Sequence, residues 1–344
     1  MPATEVLTAT EATPHRVDPL LEVEDLAVEF RTRDGVVRAV DGVSYHVDAG
    51  ETLAILGESG SGKSVGAQAV MGLIDSPPGY VTRGSIRYRG RDLLELDEGG
   101  MQRIRGRHVA MVFQDALSSL NPVFTVGDQI AEMYRVHEGA SRAEARRRAV
   151  EMMDRVHIPA AERRYGDYPH QFSGGMRQRI MIAMALSLGP DVLIADEPTT
   201  ALDVTVQAQI MDLLAELQRD TTMALVLITH DLGVVADVAD RIAVMYAGRV
   251  VEQGAVSALY ERPAHPYTLG LIESIPRMDD ERDELVPIPG APPSLMRIPP
   301  GCSFHPRCPM AQDVCTEDDP PLYAVQPGRE SACHFWEEVL TSHG

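Results

Sequence analysis

The feature that most constrains the fold is an apolar run that leads directly into a glycine-rich loop containing a lysine. Glu51–Leu56 is typical of a short buried strand, Gly57–Ser64 reads Gly, four residues, Gly-Lys-Ser, and a helical stretch follows to about Ile74. Glycines let backbone N–H groups turn inward around an anion, and the positive end of the following helix faces the same point. The pattern predicts a phosphate-binding loop. The strand before it and the helix after it count against a chance Gly/Ser loop.

Lysine usage supports this interpretation of the loop. Lys63 is the single lysine among 344 residues, so 30 of the 31 basic side chains are arginines. This position therefore requires a compact ammonium where a planar guanidinium would not fit. We expect Lys63 to reach the β- and γ-phosphates of a nucleoside triphosphate and the Ser64 hydroxyl to ligate Mg²⁺. The rest of the phosphate cradle is Gly57, Glu58, Ser59, Gly60, Ser61 and Gly62.

A second apolar run ends in two carboxylates. Val192–Ala195 is followed by Asp196 and Glu197, and ligands bind at the carboxyl ends of strands in open α/β sheets. We expect Asp196 to hold Mg²⁺ and Glu197 to orient or deprotonate the attacking water. The alternative is a strand that ends in a solvated acidic turn, and the complete phosphate loop in the same chain counts against it.

Five further features follow, and they fix the family resemblance. They are Phe30 at the end of a predicted strand, Gln114 within Val112–Asp115, the loop Phe172–Gln178, the tripeptide Ala201–Asp203, and His230 after the predicted strand Ala224–Thr229. As a set and in this order they resemble the motifs of ABC-type ATPases over about residues 21–254. The fold class implied is α/β: a P-loop NTPase whose ABC-type nucleotide-binding domain has a mainly parallel sheet core and a helical subdomain.

The resemblance implies a role for each of these residues. Gln114 joins the catalytic group, contacts the metal and links the nucleotide to the helical subdomain, which contacts membrane-spanning subunits. His230 senses the γ-phosphate and Phe30 stacks on adenine. Asp203 belongs to the loop that faces the nucleotide across a dimer. A structural histidine, a core phenylalanine and a purely structural helical subdomain are the alternatives.

The loop at Ser173 predicts a second anion-binding surface. Ser173 caps a helix while Gly174 and Gly175 expose backbone N–H groups. Phe172 and Met176 replace the Leu and Gln usual in the family, but the residues expected to touch phosphate are intact. The resemblance implies a head-to-tail dimer in which ATP lies between one subunit's phosphate loop and the other's signature loop. A chain with one phosphate loop needs a second ATPase subunit, and a paralogue is favoured.

Composition divides the chain and limits its partners. We expect a disordered tail over residues 1–19, the nucleotide-binding domain over 20–257 with its helical subdomain at about 115–190, and a small Pro- and Cys-rich C-terminal extension over 258–344. The net charge of −20 argues against a nucleic-acid-coating protein. No apolar stretch approaches the roughly 20 residues of a membrane helix. The family resemblance implies a peripheral protein on the cytoplasmic face of the plasma membrane.

The extension carries a narrower resemblance. His265–Thr268 and Gly301–Pro309 resemble the C-terminal extension of ABC ATPases from dipeptide and oligopeptide importers. This implies ATP-driven uptake of peptides through two permease subunits, supplied by an extracytoplasmic solute-binding protein. Nickel and glutathione remain open as cargo. A non-transport ABC ATPase is a rival, although the chain shows no long coiled-coil insertion and no second phosphate loop.

All four cysteines fall within the last 43 residues, separated by five, six and seventeen residues. Four thiolates can bind zinc or an iron–sulfur cluster. The loose spacing of Cys302, Cys308, Cys315 and Cys333 favours a four-iron, four-sulfur cluster, which some members of the family carry, with zinc second and unligated thiols third. His305 and His334 could substitute as zinc ligands. An iron–sulfur redox or sensor protein with an accessory ATPase is therefore a further rival.

Overall fold

Short apolar runs form the centre of the fold in the computed structural model, which describes residues 19–115, 119–200, 202–274 and 287–341. The predicted disordered tail lies outside the described residues apart from Pro19. The strands are β1 Leu21–Thr32, β2 Gly35–Val47, β3 Thr52–Leu56, β4 Gly79–Tyr88, β5 Arg91–Asp92, β6 Val109–Val112, β7 Val192–Asp196, β8 Ala224–Thr229, β9 Arg241–Tyr246, β10 Arg249–Ala255, β11 Tyr323–Gln326 and β12 Arg329–Ser331.

Helices alternate with these strands as the sequence predicts for an α/β chain. They are α1 Lys63–Val70, α2 Glu98–Ile104, α3 Val126–Glu138, α4 Arg142–Arg155, α5 Ala161–Arg164, α6 Gly174–Leu186, α7 Val204–Thr221, α8 Leu232–Val238, α9 Val256–Glu261, α10 Pro266–Glu273, α11 Asp313–Glu317 and α12 Trp336–Thr341, with 3₁₀ turns at Pro169–Gln171 and His305–Arg307. Among the described residues, no helix is long and apolar enough to cross a bilayer.

The main sheet has the strand order β11-β12-β10-β9-β3-β8-β7-β6. Strands β9, β3, β8, β7 and β6 are mutually parallel, and β10, β12 and β11 extend that sheet in antiparallel fashion. The predicted mainly parallel core is confirmed. Because β3, β8 and β7 are neighbours, the loops that follow them open at one edge, where the phosphate loop, the carboxylate pair and His230 meet.

A second, antiparallel sheet has the order β2-β1-β4-β5. Apolar residues on its inner face share one core with α1 and with β3 and β7 of the main sheet, among them Leu26, Val28, Val40 and Ile86. This sheet therefore covers the helix that follows the phosphate loop. Phe30 and Gly79, which are register partners on β1 and β4, lie at its end.

The helical subdomain consists of α3, α4 and α5, packed against α6. Ser141 accepts a hydrogen bond from the Glu144 N–H at 3.3 Å and so begins α4 as the sequence predicts. Gly127 on α3 has no room for a side chain, because a Cβ there would lie 2.2 Å from the Tyr165 ring. The subdomain and α6 share one buried cluster with the main sheet, which fixes the start of α6 relative to the sheet.

The Pro- and Cys-rich region packs against the main sheet. Glu252 on β10 pairs with Ser331 on β12, so the hairpin β11–β12 completes the sheet edge. A third core joins Tyr246 of β9 to Tyr267 of α10 and to Phe304. Ring centroids in this core are 4.7 Å apart for Tyr246 and Tyr267 and 5.2 Å apart for Tyr246 and Phe304. The extension therefore lies beside the edge of the sheet at which the loops after β3, β8 and β7 open.

Candidate nucleotide-binding site

The phosphate loop is shaped by glycines that accept no substitute. Gly57 and Gly62 have φ angles of 153° and 101°, and an added Cβ would lie 2.3 Å from the Met245 carbonyl oxygen and 2.2 Å from the Ala39 carbonyl oxygen respectively. The loop therefore passes directly over the backbone of β9 and β2. The structure places the sequence-predicted loop between β3 and α1, with its tip residues Ser59 and Gly60 exposed.

Lys63 is folded back on the loop. Its Nζ donates to the Gly57 carbonyl at 2.8 Å and to the Glu58 carbonyl at 3.0 Å, and the residue is 5% exposed. Burial lowers the pKa of Lys63, while the nearby carboxylates of Glu197, Asp196 and Glu58 oppose that shift. An anion in the loop would replace these carbonyls as the partner of the ammonium.

Ser64 and Asp196 are brought together from α1 and β7. The Ser64 hydroxyl donates to Asp196 Oδ1 at 3.0 Å. Asp196 is 4% exposed, and burial raises its pKa, whereas the Ser64 hydrogen bond opposes the rise. A hydroxyl and a carboxylate are oxygen donors of the kind Mg²⁺ prefers, so this pair fits the ion that the sequence predicts.

Glu197 contacts the two other predicted catalytic residues, Gln114 and His230. Its carboxylate accepts from Gln114 Nε2 at 2.9 Å and from the Thr200 hydroxyl at 2.8 Å, and His230 Nδ1 lies 3.5 Å from Oε1. Its backbone has a φ of 44° and its N–H donates to the Ile228 carbonyl at 2.8 Å. Thr200 was missed by sequence reasoning, because a threonine after a Pro-Thr pair gives no distinguishing pattern.

The signature loop lies on another surface. Ser173 begins α6 by accepting from the Met176 N–H at 3.4 Å, and Gly175 packs on Val206 of α7. Ser173 and Gly175 line an open cavity of about 540 Å³ with residues of α7 and without any residue of the phosphate loop. The signature loop and the phosphate loop therefore lie on separate surfaces of the chain, and anion binding at the signature loop stays a prediction.

Two predicted nucleotide contacts have local structural partners. Asp203 begins α7, and its carboxylate accepts from the Val206 N–H at 2.9 Å. Phe30 is half-buried against the core under the antiparallel sheet, and a Cβ at Gly79 would lie 2.9 Å from its ring. The adenine-stacking role of Phe30 and the cross-dimer role of Asp203 stay predictions.

The four cysteines converge on one small cavity in the extension. Its volume is about 20 Å³, and its lining includes Cys302, Cys308, Cys315, Cys333, His305 and His334. All four thiols are unpaired, and burial raises the pKa of Cys302 to about 11 and of Cys333 to about 12. Within the described ranges, no three His, Cys, Asp or Glu side chains are placed to hold a metal ion. The thiols converge, and their ligation of a metal stays a prediction.

A contact from the extension to the phosphate loop was also missed. Arg307 forms an ion pair with Glu58, with Nη1 at 2.6 Å from Oε2. The Tyr267 hydroxyl accepts the Glu58 N–H at 2.9 Å. Arg307 is separated from Glu58 by 249 positions, so local sequence patterns carry no signal for this pairing.

Comparison with known families agrees with the geometry. The model for "ABC transporter" matches residues 40–200, and the model for "Oligopeptide/dipeptide transporter, C-terminal region" matches residues 251–315. The dimeric ATP-binding cassette MJ0796, solved in a post-hydrolysis state with ADP and Pi, has a TM-score of 0.62 and 28% identity, covering 69% of this chain and 98% of that one. CbiO1 of Clostridium perfringens has a TM-score of 0.61 and 30% identity over 71% of this chain and 91% of that one.

Curated relatives match over nearly the whole chain. The oligopeptide transport ATP-binding protein OppD of Bacillus subtilis is 53% identical over 311 residues, 90% of this chain and 87% of that protein. OppD of Salmonella typhimurium is 52% identical over 326 residues, 95% of this chain and 96% of that protein. A putative peptide import ATP-binding protein of Brucella abortus is 51% identical over 332 residues, 93% and 98% respectively.

The parallel sheet, the phosphate loop and the paired carboxylates together define a P-loop ATPase of the cassette type. Relatives that share half of the residues over at least nine-tenths of the chain narrow this class further. The chain belongs to the ABC transporter family, in the branch of the oligopeptide transport ATP-binding proteins. Its activity is ATP hydrolysis.

Proposed function

We propose that the chain is the ATP-hydrolysing subunit of an importer for dipeptides and oligopeptides. The observation that carries the catalytic part is the junction at Glu197, which contacts Gln114 and His230 beside the buried Lys63 and Asp196. The cargo assignment is supported by the relatives, which are named for oligopeptide or peptide import. Nickel and glutathione are the other solutes to test.

In this mechanism, different residues of the chain bind the phosphates, bind Mg²⁺ and activate water. Lys63 and the loop N–H groups, from Gly57 to Ser64, bind the phosphates. Ser64, Asp196 and Gln114 would hold Mg²⁺, which would neutralise phosphate charge. Glu197 orients the attacking water and accepts its proton. His230, whose side chain is 64% exposed, would contact the γ-phosphate.

The partner surfaces follow from the separation of the two half-sites. We propose a head-to-tail dimer with a second ATPase subunit, a paralogue in this branch, whose Ser173, Gly174, Gly175 and Asp203 counterparts complete the site over the phosphate loop. Two permease subunits and an extracytoplasmic solute-binding protein complete the importer. The chain then lies on the cytoplasmic face of the plasma membrane. ATP favours the closed dimer, and hydrolysis releases it.

The test is co-purification of the chain from its native host, followed by reconstitution of the purified complex in vesicles. We expect permease subunits and a solute-binding protein among the co-purified chains, and ATP-dependent uptake of a labelled peptide. A complex carrying Glu197→Gln is the matched control and should not take up peptide. Uptake of nickel or glutathione in place of peptide would contradict the cargo assignment, and recovery without permeases would contradict a transport role.

We also propose that Cys302, Cys308, Cys315 and Cys333 ligate a four-iron, four-sulfur cluster, with zinc as the second choice. The support is that all four thiols line one cavity and that thiolate is the donor iron–sulfur clusters require. The 20 Å³ cavity must widen to accept a cluster. When bound, the cluster would cross-link the Pro-rich segment and so compensate for its small hydrophobic core.

Anaerobic purification tests the cluster directly. We expect visible absorbance and about four iron atoms per chain, both lost in Cys333→Ser. A chain that contains zinc without iron would favour the second choice. A chain without either metal under anaerobic conditions would contradict a metal centre.

A further inference from the structure

An arginine of the C-terminal extension forms an ion pair with the phosphate loop. The Arg307 guanidinium meets both oxygens of Glu58, with Nη1 at 2.6 Å from Oε2 and Nη2 at 3.1 Å from Oε1. This two-pronged geometry is the stronger form of a charged hydrogen bond and fixes the orientation of both groups. Glu58 is the second residue of the phosphate loop, so its position bears directly on the nucleotide.

Arg307 is itself held in place. Its side chain is 5% exposed, and Nε donates to the Pro289 carbonyl at 2.9 Å. The guanidinium lies 5.8 Å from the ring centroid of Tyr246 and 5.9 Å from that of Phe304. Because the arginine is already immobilised, it holds Glu58 with little further loss of side-chain freedom.

A second side chain of the extension holds the backbone of the same residue. The hydroxyl of Tyr267, which is fully buried, accepts the Glu58 N–H at 2.9 Å. The Glu58 carbonyl in turn accepts from Lys63 Nζ at 3.0 Å. Glu58 is therefore fixed at its carboxylate and its N–H by the extension, and at its carbonyl by the lysine of the site.

The charge of the Glu58 carboxylate bears on the binding of an anionic ligand. A carboxylate in a loop that must receive a triphosphate repels the ligand, and the repulsion is strong where water is partly excluded. Pairing with Arg307 neutralises that carboxylate, and the Tyr267 contact keeps the loop in one shape. Both effects favour binding of an anion without contacting it.

We propose that Arg307 and Tyr267 are positioning residues of the nucleotide site, which hold and neutralise Glu58 so that the phosphate loop is preorganised for MgATP. The C-terminal extension is on this account part of the ATP site. The proposal rests on the ATPase activity of the family and is independent of the cargo.

The test is a double-mutant cycle on the full-length chain, using a fluorescent ATP analogue with Mg²⁺ as the binding probe. Arg307→Gln should weaken nucleotide binding about tenfold, because Glu58 is left as an unpaired negative charge beside the anion. The double variant Glu58→Gln/Arg307→Gln should recover most of that loss. In the assembled ATPase, Arg307→Gln should raise KM for ATP with kcat changed less than about twofold.

The control is Arg297→Gln in the same extension, because the exposed Arg297 side chain has no hydrogen bond or ion pair with the described residues. The nucleotide affinity of this variant should equal that of the parent. A purely structural role for Arg307 predicts a weakened single variant that the second substitution does not rescue, together with a lowered melting temperature in both. Parent affinity in Arg307→Gln, or failure of the double variant to recover, would overturn the proposal.

A milder change keeps the test valid if Arg307→Gln does not fold. Tyr267→Phe removes only the hydroxyl and keeps the ring that packs against Tyr246 and Phe304. We expect nucleotide binding to weaken about threefold, since one hydrogen bond to the loop is lost. Unchanged affinity in a folded Tyr267→Phe chain would remove Tyr267 from the proposal.

Discussion

At the scale of single residues, Glu197 sits where three segments of the chain meet. It follows β7 with a φ of 44°, a conformation that non-glycine residues rarely adopt. The N–H bond to the Ile228 carbonyl and the side-chain contacts with Gln114 and Thr200 hold it there. Such held strain is common at functional sites, and here the carboxylate lies 3.5 Å from His230 Nδ1.

Glu197→Gln should separate nucleotide binding from hydrolysis. The amide keeps the size of the side chain but cannot accept a proton from water, so the hydrolysis rate should fall at least a hundredfold. MgATP affinity should stay within about threefold of the parent, and ATP should trap a dimer. Single-turnover hydrolysis and size-exclusion chromatography measure the two effects. Hydrolysis at the parent rate would show that Glu197 does not activate water.

Lys63→Ala should abolish ATP hydrolysis, because the chain has no other lysine to stabilise charge on the β- and γ-phosphates. We expect a loss of at least a hundredfold. Steady-state phosphate release by the assembled ATPase measures it. The same substitution at exposed Arg297 is the control and should leave the rate unchanged; an active Lys63→Ala protein would contradict the assignment of the loop.

At the scale of elements, the contact of α6 with α7 places the signature loop. Gly175 in the first turn of α6 lies so close to α7 that an added Cβ would be 2.5 Å from Val206 Cγ1. Leu202 packs beside Gly174, where a Cβ would be 3.5 Å from its Cδ2. The two helices therefore fix the position of the signature loop, which in the proposed dimer faces the partner's nucleotide.

Gly175→Ala should push α6 away from α7 and so misplace the signature loop. We expect the assembled complex to lose ATPase activity at least tenfold, while the isolated subunit binds MgATP as the parent does. Val206→Ala in the same chain should restore part of the activity, because it removes the clashing methyl. Steady-state ATPase assays of the two variants measure this, and absence of rescue would show that the glycine is needed for another reason.

At the scale of the whole molecule, one buried ion pair fastens the extension to the core. Glu252 on β10 is fully buried and accepts from Arg329 Nη2 at 2.9 Å, as well as from the Ala264 and His265 N–H groups at 2.9 and 3.0 Å. Burial raises the pKa of Glu252, and the Arg329 hydrogen bond opposes the rise. Loss of the arginine would leave the carboxylate without its charge partner.

Arg329→Met should destabilise the fold by about 3–5 kcal/mol, the usual result of leaving a buried charge unpaired. Without Arg329, the pKa of Glu252 rises further above its unfolded value. A group of that kind adds stability at low pH and loses it as pH rises through the folded pKa. The deficit relative to the parent should therefore be smaller at pH 5 than at pH 8.

Urea unfolding of both chains at the two pH values measures this difference. Arg329→Lys, which keeps the positive charge, is the control and should show a smaller deficit with less pH dependence. A deficit independent of pH in Arg329→Met would show that lost packing, rather than the unpaired carboxylate, is the cause.

Sequence patterns predict the parts of the molecule whose conformation depends on residues nearby in the chain. The loop Gly57–Ser64, the carboxylates after β7 and the caps at Ser141 and Ser173 each depend on neighbours in sequence. Strand β4 was missed because Gly79–Tyr88 mixes glycine, threonine and arginine without a clear alternation. The hairpin β11–β12 was missed because its strands are only four and three residues long and are fixed by pairing with distant β10.

The lone lysine allows nucleotide occupancy to be measured by chemical labelling. Lys63 is the one ε-amino group and lies buried under the loop, with its Nζ turned to backbone carbonyls. A reagent selective for amines therefore has Lys63 as its one side-chain target in this protein. The extent of labelling at Lys63, read by mass spectrometry, becomes a footprint of nucleotide occupancy, for which no engineered tag is needed.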